Sequence, residues 1–310
     1  MPQLFTNLDA DGSVFFQRQL ELVKSRSYDV NYPELPARTL FPVNNEGGFG
    51  ITSITYRTYD QRATAKIING YAKDLPRADI GGKETTIPVK ELGIAYAYTV
   101  KEIASSQLTG VGLDQRRANA ARRGVEEAIN KIAFYGDAET GLPGFFSNGA
   151  IPRVNVVNGA GGQPEWVNKT PDEILFDMND SFADIFENTK MVERGNTLLL
   201  PPAQWSLVSS TPRSSNSDTT ILAYFVANSP YVMSMADVIP VNELVGAGSG
   251  GVDILVAYDR NPDKLQLEIP GELQFLAPQE KGLEIEIPGW SSIGGVNIYY
   301  PLSINIAEGI

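Results

Sequence analysis

The sequence predicts an α+β fold, and three stretches predict it. Residues 113–135 carry apolar side chains at three- and four-residue spacing over about 23 positions, an amphipathic helix roughly 35 Å long at about 1.5 Å rise per residue. Residues 51–68 and 85–100 are rich in Thr, Tyr and Ile and flank a polar stretch, the pattern of two long strands around a loop tip. From Val238 onward the pattern is mainly β, broken by turns at 246–251, at Asn261-Pro262-Asp263 and at Pro270-Gly271.

Composition narrows the chemistry. The chain has 310 residues, 42% hydrophobic and 20% charged, enough for two or three subdomains each with a core. Its net charge of −12 opposes binding to nucleic-acid phosphates, so sequence-specific DNA or RNA recognition is not expected. With no cysteine and no histidine, disulfides, thiol nucleophiles and imidazole bases are excluded, and the usual zinc ligands are missing. The opening residues lack a basic segment followed by an apolar one, and the apolar run 221–227 is far below the ~18 residues of a membrane span. A soluble, cytoplasmically made protein without cofactor or metal is the expectation.

The other elements follow in chain order. Phe16, Leu20 and Val23 are spaced as on a helix over residues 13–24. A Pro-punctuated run, Tyr32-Pro33-Glu34-Leu35-Pro36 to Phe41-Pro42, then reads as an extended arm, because proline disfavours helix in the residue before it. The two strand-like runs around the tip at 70–82 fit either a buried sheet or a projecting arm. Charges at Arg57, Asp60, Arg62 and Lys66 thin the apolar stripe and favour the arm, which then needs a neighbouring surface, since a lone hairpin is marginal in water.

On the long helix Ala118, Ala121, Val125, Ile129 and Ile132 form the packing face. Arg122–Glu126, Arg123–Glu127 and Glu127–Lys131 are four-residue charge pairs on the other side, each worth about 0.2–0.5 kcal/mol, on a face that is either solvated or turned to a neighbour. The helix breaks at Gly136-Asp137. Thr170-Pro171-Asp172-Glu173 combines a capping box with proline at the first helical position, and Ile174, Met178, Phe182 and Ile185 mark the apolar face that follows. Leu198-Leu199-Leu200 is a buried strand, Pro202 opens a short helix, and Asp218 is the expected cap of another ending before Pro230.

Several motifs imitate sites. Asn7-x-Asp9-x-Asp11-Gly12 copies half of a calcium loop, but Arg18 stands where a bidentate carboxylate is required. Gly246-x-Gly248-x-x-Gly251 fits the dinucleotide fingerprint, yet Val252-Asp253-Ile254-Leu255-Val256 reads as a strand where the motif needs a helix N-terminus. No spacing of Asp and Glu selects a hydrolytic pair.

Certain residues, in their order along the chain, carry a resemblance. They are Ala37-Arg38-Thr39-Leu40-Phe41-Pro42-Val43, then a loop tip with Tyr71-Ala72-x-Asp74-Leu75-Pro76-Arg77-Ala78-Asp79. Ala120-Ala121-Arg122-Arg123 follows in the long helix, then Gly136-Asp137 with Gly141-Leu142-x-Gly144, then Pro202-x-x-Trp205. The series closes with Gly294-Gly295-Val296 and Tyr300-Pro301-Leu302-Ser303-Ile304. This series resembles the major capsid (coat) proteins of tailed bacteriophages, whose shell fold is shared with herpesvirus capsids and encapsulins.

The resemblance implies a phage major capsid-type fold. Residues 1–46 would be an N-terminal arm and 47–100 a long extended β-hairpin loop. Residues 101–170 would form a peripheral domain with a long spine helix, 171–259 an axial domain, and 260–310 strands returning to the peripheral domain. It implies a non-enzymatic subunit of the virion capsid, assembled in the host cytoplasm into hexamers and pentamers around double-stranded DNA. The implied partners are other copies of the chain, a separate scaffolding protein, a portal and possible decoration proteins. Inter-subunit contacts are expected at Arg57, Arg62, Tyr71, Asp74, Arg77, Asp79, Arg122, Arg123, Glu126 and Glu127. Some relatives cross-link Lys to Asn; Lys66, Lys73 and Lys83 lie in the loop, and no local pattern marks one as a donor, so they are taken as surface lysines. The alternatives are an encapsulin-like compartment and a carboxylate-based soluble enzyme.

Overall fold

The computed structural model describes residues 32–63, 65, 77, 79–109 and 115–310. The chain divides after Glu34 into two units, and only residues 32–34 of the first are described. The expected helix at 13–24 and the calcium-like turn lie outside the described residues. The second unit opens with one helical turn, α1 (Ala37–Leu40), and a short strand, β1 (Val43–Asn44). Strands β2 (Ser53–Arg62), β3 (Asp79–Pro88) and β4 (Lys90–Thr99) lead to helices α2 (Val100–Thr109) and α3 (Arg116–Tyr135). Next come β5 (Arg153–Asn155), α4 (Pro171–Asn188), β6 (Thr197–Leu200), α5 (Pro202–Ser210), α6 (Ile221–Asn228) and β7 (Val238–Pro240). Seven strands finish the chain: β8 (Ile254–Tyr258), β9 (Leu265–Glu268), β10 (Gly271–Phe275), β11 (Gln279–Lys281), β12 (Glu284–Ile293), β13 (Gly295–Ile298) and β14 (Ile304–Glu308).

A five-stranded sheet in the order β5-β14-β8-β6-β7 divides two hydrophobic cores. Side chains of successive strand residues point to opposite faces, so alternate positions serve different cores. Leu199, Ile254, Val256, Tyr258, Ile304 and Ile306 enter the first. Leu198, Leu200, Leu255, Ala257 and Ala307 enter the second. β6, β8 and β14 have no exposed position, which explains why Leu198-Leu199-Leu200 is apolar without alternation.

The first core gathers α3 and a turn that doubles back on it. Val125, Ile129, Ala133 and Phe134 are buried, and Gly136 ends the helix with φ +70°. Phe145 and Phe146 donate backbone N–H bonds to the carbonyls of Ala133 and Phe134, both 2.8 Å, so the turn supplies partners that a helix C-terminus otherwise lacks. Phe41, Phe134, Phe145 and Tyr258 pack ring against ring with centroids 5.1–6.0 Å apart.

The segment read as an extended arm is part of this core. Leu40 and Phe41 are fully buried, the Tyr258 hydroxyl donates to the Leu40 carbonyl at 2.9 Å, and β1 pairs in parallel with β9, which also pairs with β13. Pro36 does not prevent the helical turn, because it precedes that turn rather than following it. The Ala37 N–H meets the buried Asn130 side chain of α3 at 3.1 Å.

The second core is built on α4. Thr170 accepts from the Glu173 N–H while Glu173 returns a bond to the Thr170 N–H, the expected capping box, and Ile174, Met178, Phe182 and Ile185 are buried. Beneath its first turns a buried ion pair joins Lys169 Nζ to Asp177 Oδ2 at 2.6 Å, with the Trp166 indole N–H on the same oxygen at 2.8 Å. Burial pushes the Asp177 carboxyl up, against the pull of Lys169 and Trp166. The cap of α6 is Thr220, not Asp218, since the helix begins at Ile221 and Thr220 accepts from the Ala223 N–H at 3.2 Å.

The two long strand-like runs are divided differently from expectation. β2 pairs antiparallel with β3 over all ten positions, Ser53 opposite Pro88 and Arg62 opposite Asp79. The return run then changes sheet at Val89, and β4 pairs for ten residues with β12, from Lys90–Ile293 to Thr99–Glu284. Pro88 has no N–H to extend the hairpin ladder, and buried Ile87 and Val89 turn the chain inward there. β10 and β11 line the far edge of β12.

The helix α2 was not anticipated, although Thr99-x-x-Glu102 forms a reciprocal cap at its start. The long helix is described from Arg116, with 20 residues; Leu113 and Asp114 lie outside the described residues. After the glycines of residues 246–251 comes a strand, β8, and not the helix that a dinucleotide fingerprint needs. No helix among the described residues is long and apolar enough to cross a membrane.

Gly144 is the tightest backbone approach. A Cβ there would overlap the Gly136 nitrogen and lie 2.5 Å from the Tyr135 carbonyl carbon. In the unassembled chain Gly144→Ala is expected to cost about 3 kcal/mol or more, because backbone cannot give way as a side chain can. Thr170→Ala, which removes one cap, should cost only about 1 kcal/mol. Urea unfolding midpoints of the two variants check this ranking, and the opposite order would show that the turn is able to relax.

Candidate functional site

The β2–β3 hairpin is largely exposed. It pairs with no third strand among the described residues, so each of its two edges leaves ladder groups open. Cross-strand side chains hold it: the Thr55 and Thr86 hydroxyls are 2.8 Å apart, and Arg57 Nε donates to Glu84 at 2.6 Å. That ion pair is well exposed, worth well under about 1 kcal/mol, so it sets register more than stability. Tyr59 and Ile80 are each 64% exposed.

The structure brings some expected contact residues together and separates others. Arg57, Arg62 and Asp79 share the hairpin, with Arg62 and Asp79 in register at the end of the ladder. Arg77 is exposed nearby in the chain. Tyr71 and Asp74, and the loop lysines Lys66 and Lys73, lie outside the described residues; Lys83 is exposed on β3.

On α3 the four charges divide. Arg123 pairs with Glu127 at 2.8 Å as the spacing predicts. Arg122 instead lies 5.8 Å from the Phe275 ring centre, and Glu126 is taken by Arg38, so the expected Arg122–Glu126 pair is replaced by contacts within the chain. Arg38 is the residue that sequence reasoning missed. Its guanidinium donates to both oxygens of Glu126 at 2.8 and 3.0 Å, and to both oxygens of Glu272 at 2.8 and 2.9 Å. These bonds hold the Arg38 proton above its ordinary range, Glu272 contributing most. One side chain thereby ties α1, α3 and β10, partners 88 and 234 residues away.

A second tie closes the other end of α3. Arg117 donates to the Ala97 carbonyl of β4 at 2.6 Å and to Glu102 of α2 at 2.7 Å. The Arg117 bond, with the cap at Thr99, holds the exposed Glu102 carboxyl down to about 2. The capping-box pattern at 99–102 was a signal available in the sequence; the pairing with Arg117 was not.

Among the described residues no group of three metal-ligating side chains is placed to hold an ion. Asp177, Asp180 and Asp184 line a small cleft between α4 and the β5–β14 edge, where burial and the neighbouring carboxylate of Asp184 push Asp180 up. Asp177 is held there by Lys169, and Asp184 by the Asn305 amide at 2.9 Å.

Comparison with known proteins places this geometry. The family model described as major capsid protein matches residues 63–310. The chain belongs to the major capsid protein family. The capsid protein of Myoviridae phage XM1 is 19% identical, with a TM-score of 0.81 over 97% of this chain and 100% of that one. A capsid chain from a native GTA particle is 13% identical, with a TM-score of 0.62 over 98% and 99%. The virus-like particle from Pyrococcus furiosus is 13% identical, with a TM-score of 0.55 over 87% and 91%. At these identities the likeness is one of fold. No curated protein matches the chain. The α+β capsid-type fold expected from the sequence is therefore the fold of this family member, and residues 35–62, ahead of the matched range, are folded into the same body.

Removing the Arg38 clamp leaves Glu126 and Glu272 without their shared cation. Arg38→Gln is expected to cost about 2 kcal/mol in a thermal melt, with part recovered by adding Glu126→Gln. An Arg38→Gln melt identical to the parent would show that the three elements are joined by packing alone.

Proposed function

We propose that this chain is the shell-forming subunit of a phage-type virion, self-assembling into hexamers and pentamers of an icosahedral container for double-stranded DNA. The observation that carries it is the β2–β3 hairpin, ten residues per strand, with open edges and exposed Tyr59 and Ile80. In a family of capsid proteins, such an element is satisfied by copies of the same chain. Many modest contacts of this kind add up in a closed lattice.

Within that reading, residues 1–46 and 47–100 supply the segments that reach neighbours. Two segments in that span are docked on the subunit itself: residues 37–44 in its first core, and residues 90–99 in its own β12 sheet. Residues 101–170 with the returning strands would form the peripheral part, and 171–259 the axial part, of each capsomer. The expected contacts at Arg57, Arg62, Arg77, Asp79, Arg123 and Glu127 remain our proposal. Arg122 and Glu126 fit better as supports of the helix face, given their partners Phe275 and Arg38. The net charge of −12 suits an enclosure that does not hold DNA by charge attraction. A separate scaffolding protein, a portal and decoration proteins complete the proposed set of partners. The likeness to the capsid of phage XM1 supports a phage shell over an encapsulin-like compartment.

Sedimentation and electron microscopy of the expressed chain, alone and with its candidate scaffold, test the proposal. Rings or closed shells are expected; a single non-associating species under every condition would overturn it. Replacing residues 57–84 with a short turn joins Tyr56 to its register partner Thr85 and removes the outer hairpin. That variant is expected to keep its circular dichroism and its melt but to form no shells. Wild-type-sized shells from it would remove the hairpin from the assembly mechanism.

A further inference from the structure

Close to the root of the β2–β3 hairpin lies a buried glutamate, linked to it through Tyr299. Glu268, the last residue of β9, is 1% exposed. The Tyr299 hydroxyl oxygen lies 3.2 Å from Glu268 Oε1 and 2.9 Å from Gln266 Oε1. A phenol carries one proton and cannot donate to both. Glu268 Oε2 and the Asn297 amide nitrogen are both buried without a hydrogen-bonding partner, and the Asn44 and Asn297 amides lie close enough to act on the carboxyl. A neutral carboxyl can donate its proton from Oε1 to the Tyr299 oxygen while Tyr299 donates to Gln266, and the unpaired Oε2 is then an uncharged carbonyl oxygen, which costs less to bury than an anion.

The same group touches the hairpin. Tyr299 meets the Tyr56 ring of β2 edge-on, with centroids 4.9 Å apart. A Cβ placed on Gly294 would lie 3.0 Å from the Glu268 Cβ, 3.6 Å from Ile54 of β2 and 3.7 Å from Val89, where the chain changes sheet. Glu268, Ile54 and Val89 thus crowd one point, and Tyr299 joins Glu268 to Tyr56.

We propose that Glu268 is a proton-held latch: as the neutral acid it seats the hairpin root on β9 and β13, and ionising it loosens that seat. Burial is the main force holding the carboxyl above its ordinary range, while Tyr299, Asn44 and Asn297 pull it down and the nearby Glu46 carboxylate pushes it up. The titratable groups that act on it are Tyr299, Glu46 and, behind Tyr299, Tyr56. An anion in this place would need water, and the contact that opens to admit water is Tyr56 against Tyr299.

The sign follows from linkage. A carboxyl raised in the folded state favours folding fully below the ordinary glutamate value of about 4.3, and that contribution is lost as pH rises to the raised value. The hairpin root should therefore be tight in mild acid and loose in mild alkali. The proposal concerns the subunit's own hinge and does not rest on the shell reading.

Hydrogen exchange of the full chain, corrected for intrinsic rates, tests it at about pH 5 and about pH 8 in residues 53–62 and 85–88. Exchange there should be about fivefold or more faster at the higher pH in the parent, and Glu268→Gln should hold the slow rate at both. Equal pH dependence in parent and Glu268→Gln, or none in the parent, overturns the proposal. Should Glu268→Gln fail to fold, the isotope-edited infrared carbonyl band of glutamic acid in the parent decides: a neutral carboxyl persisting above about pH 6 supports the latch, and its absence there overturns it.

Discussion

The structure depends on a sheet that has no solvent face. The strands β14, β8 and β6 must satisfy two cores at once, so a one-residue slip would exchange Leu199 for Leu198 and Val256 for Leu255 across the wall. The exchange is not neutral. Tyr258 faces the first core with its hydroxyl on the Leu40 carbonyl, and Ala257 faces the second, where α4 and α6 leave less room. Register here therefore determines where α1, α3 and α4 are able to dock. Burial of the Tyr258 phenol keeps its proton bound far above the ordinary range, consistent with a hydroxyl that works as a fixed donor.

Around this wall, a few charged side chains tie sequence-distant segments together in addition to their packing in the first core. Arg38 and Arg117 bracket α3, each bonded to elements on either side, and both use the planar guanidinium fork that Lys lacks. Such ties are directional, so they fix how α3 lies against β4 and β10. The turn at 136–146 does the same for the end of α3 through backbone bonds, and it meets the closing strands where the Val296 N–H donates to the Pro143 carbonyl at 2.9 Å. Two motifs far apart in the chain, Gly136–Gly144 and Gly294–Val296, are thus halves of one contact. A Cβ on Gly295 would overlap the Pro143 carbonyl oxygen, which accounts for glycine at that place.

The hairpin stands in contrast to this body. Its inner residues Ile54 and Tyr56 engage the body at the root, while Tyr59 and Ile80 further out are 64% exposed. An element seated at one end and open along its edges can change its angle while giving up little packing. A buried ionisable group at that seat is placed to control the angle, and the remainder of the subunit has no reason to move with it. On the proposed shell reading, this would separate a rigid body that sets lattice spacing from a limb that reaches a neighbour.

What the sequence determined by itself is local. Helix α4 with its capping box, the buried β6, the break of α3 at Gly136 and the extended character of 51–62 and 85–99 follow from spacing, caps and turn residues within a few positions of each other. The family, too, was legible, because the order of weak motifs is preserved even where each motif is common. Tertiary structure alone decided the rest. The stretch 36–44 looks extended because its prolines are read locally, yet it is buried because α3 and β9 offer Leu40 and Phe41 a core that no neighbouring residue reveals. The run 85–100 looks like one strand and serves two sheets, since only β12, nearly two hundred residues later, supplies the partner for its second half. Glu126 is spaced to meet Arg122 four residues away, but Arg38 reaches it with a better-oriented, more desolvated bond. In each case the deciding contact spans a long stretch of chain, where local periodicity carries no information.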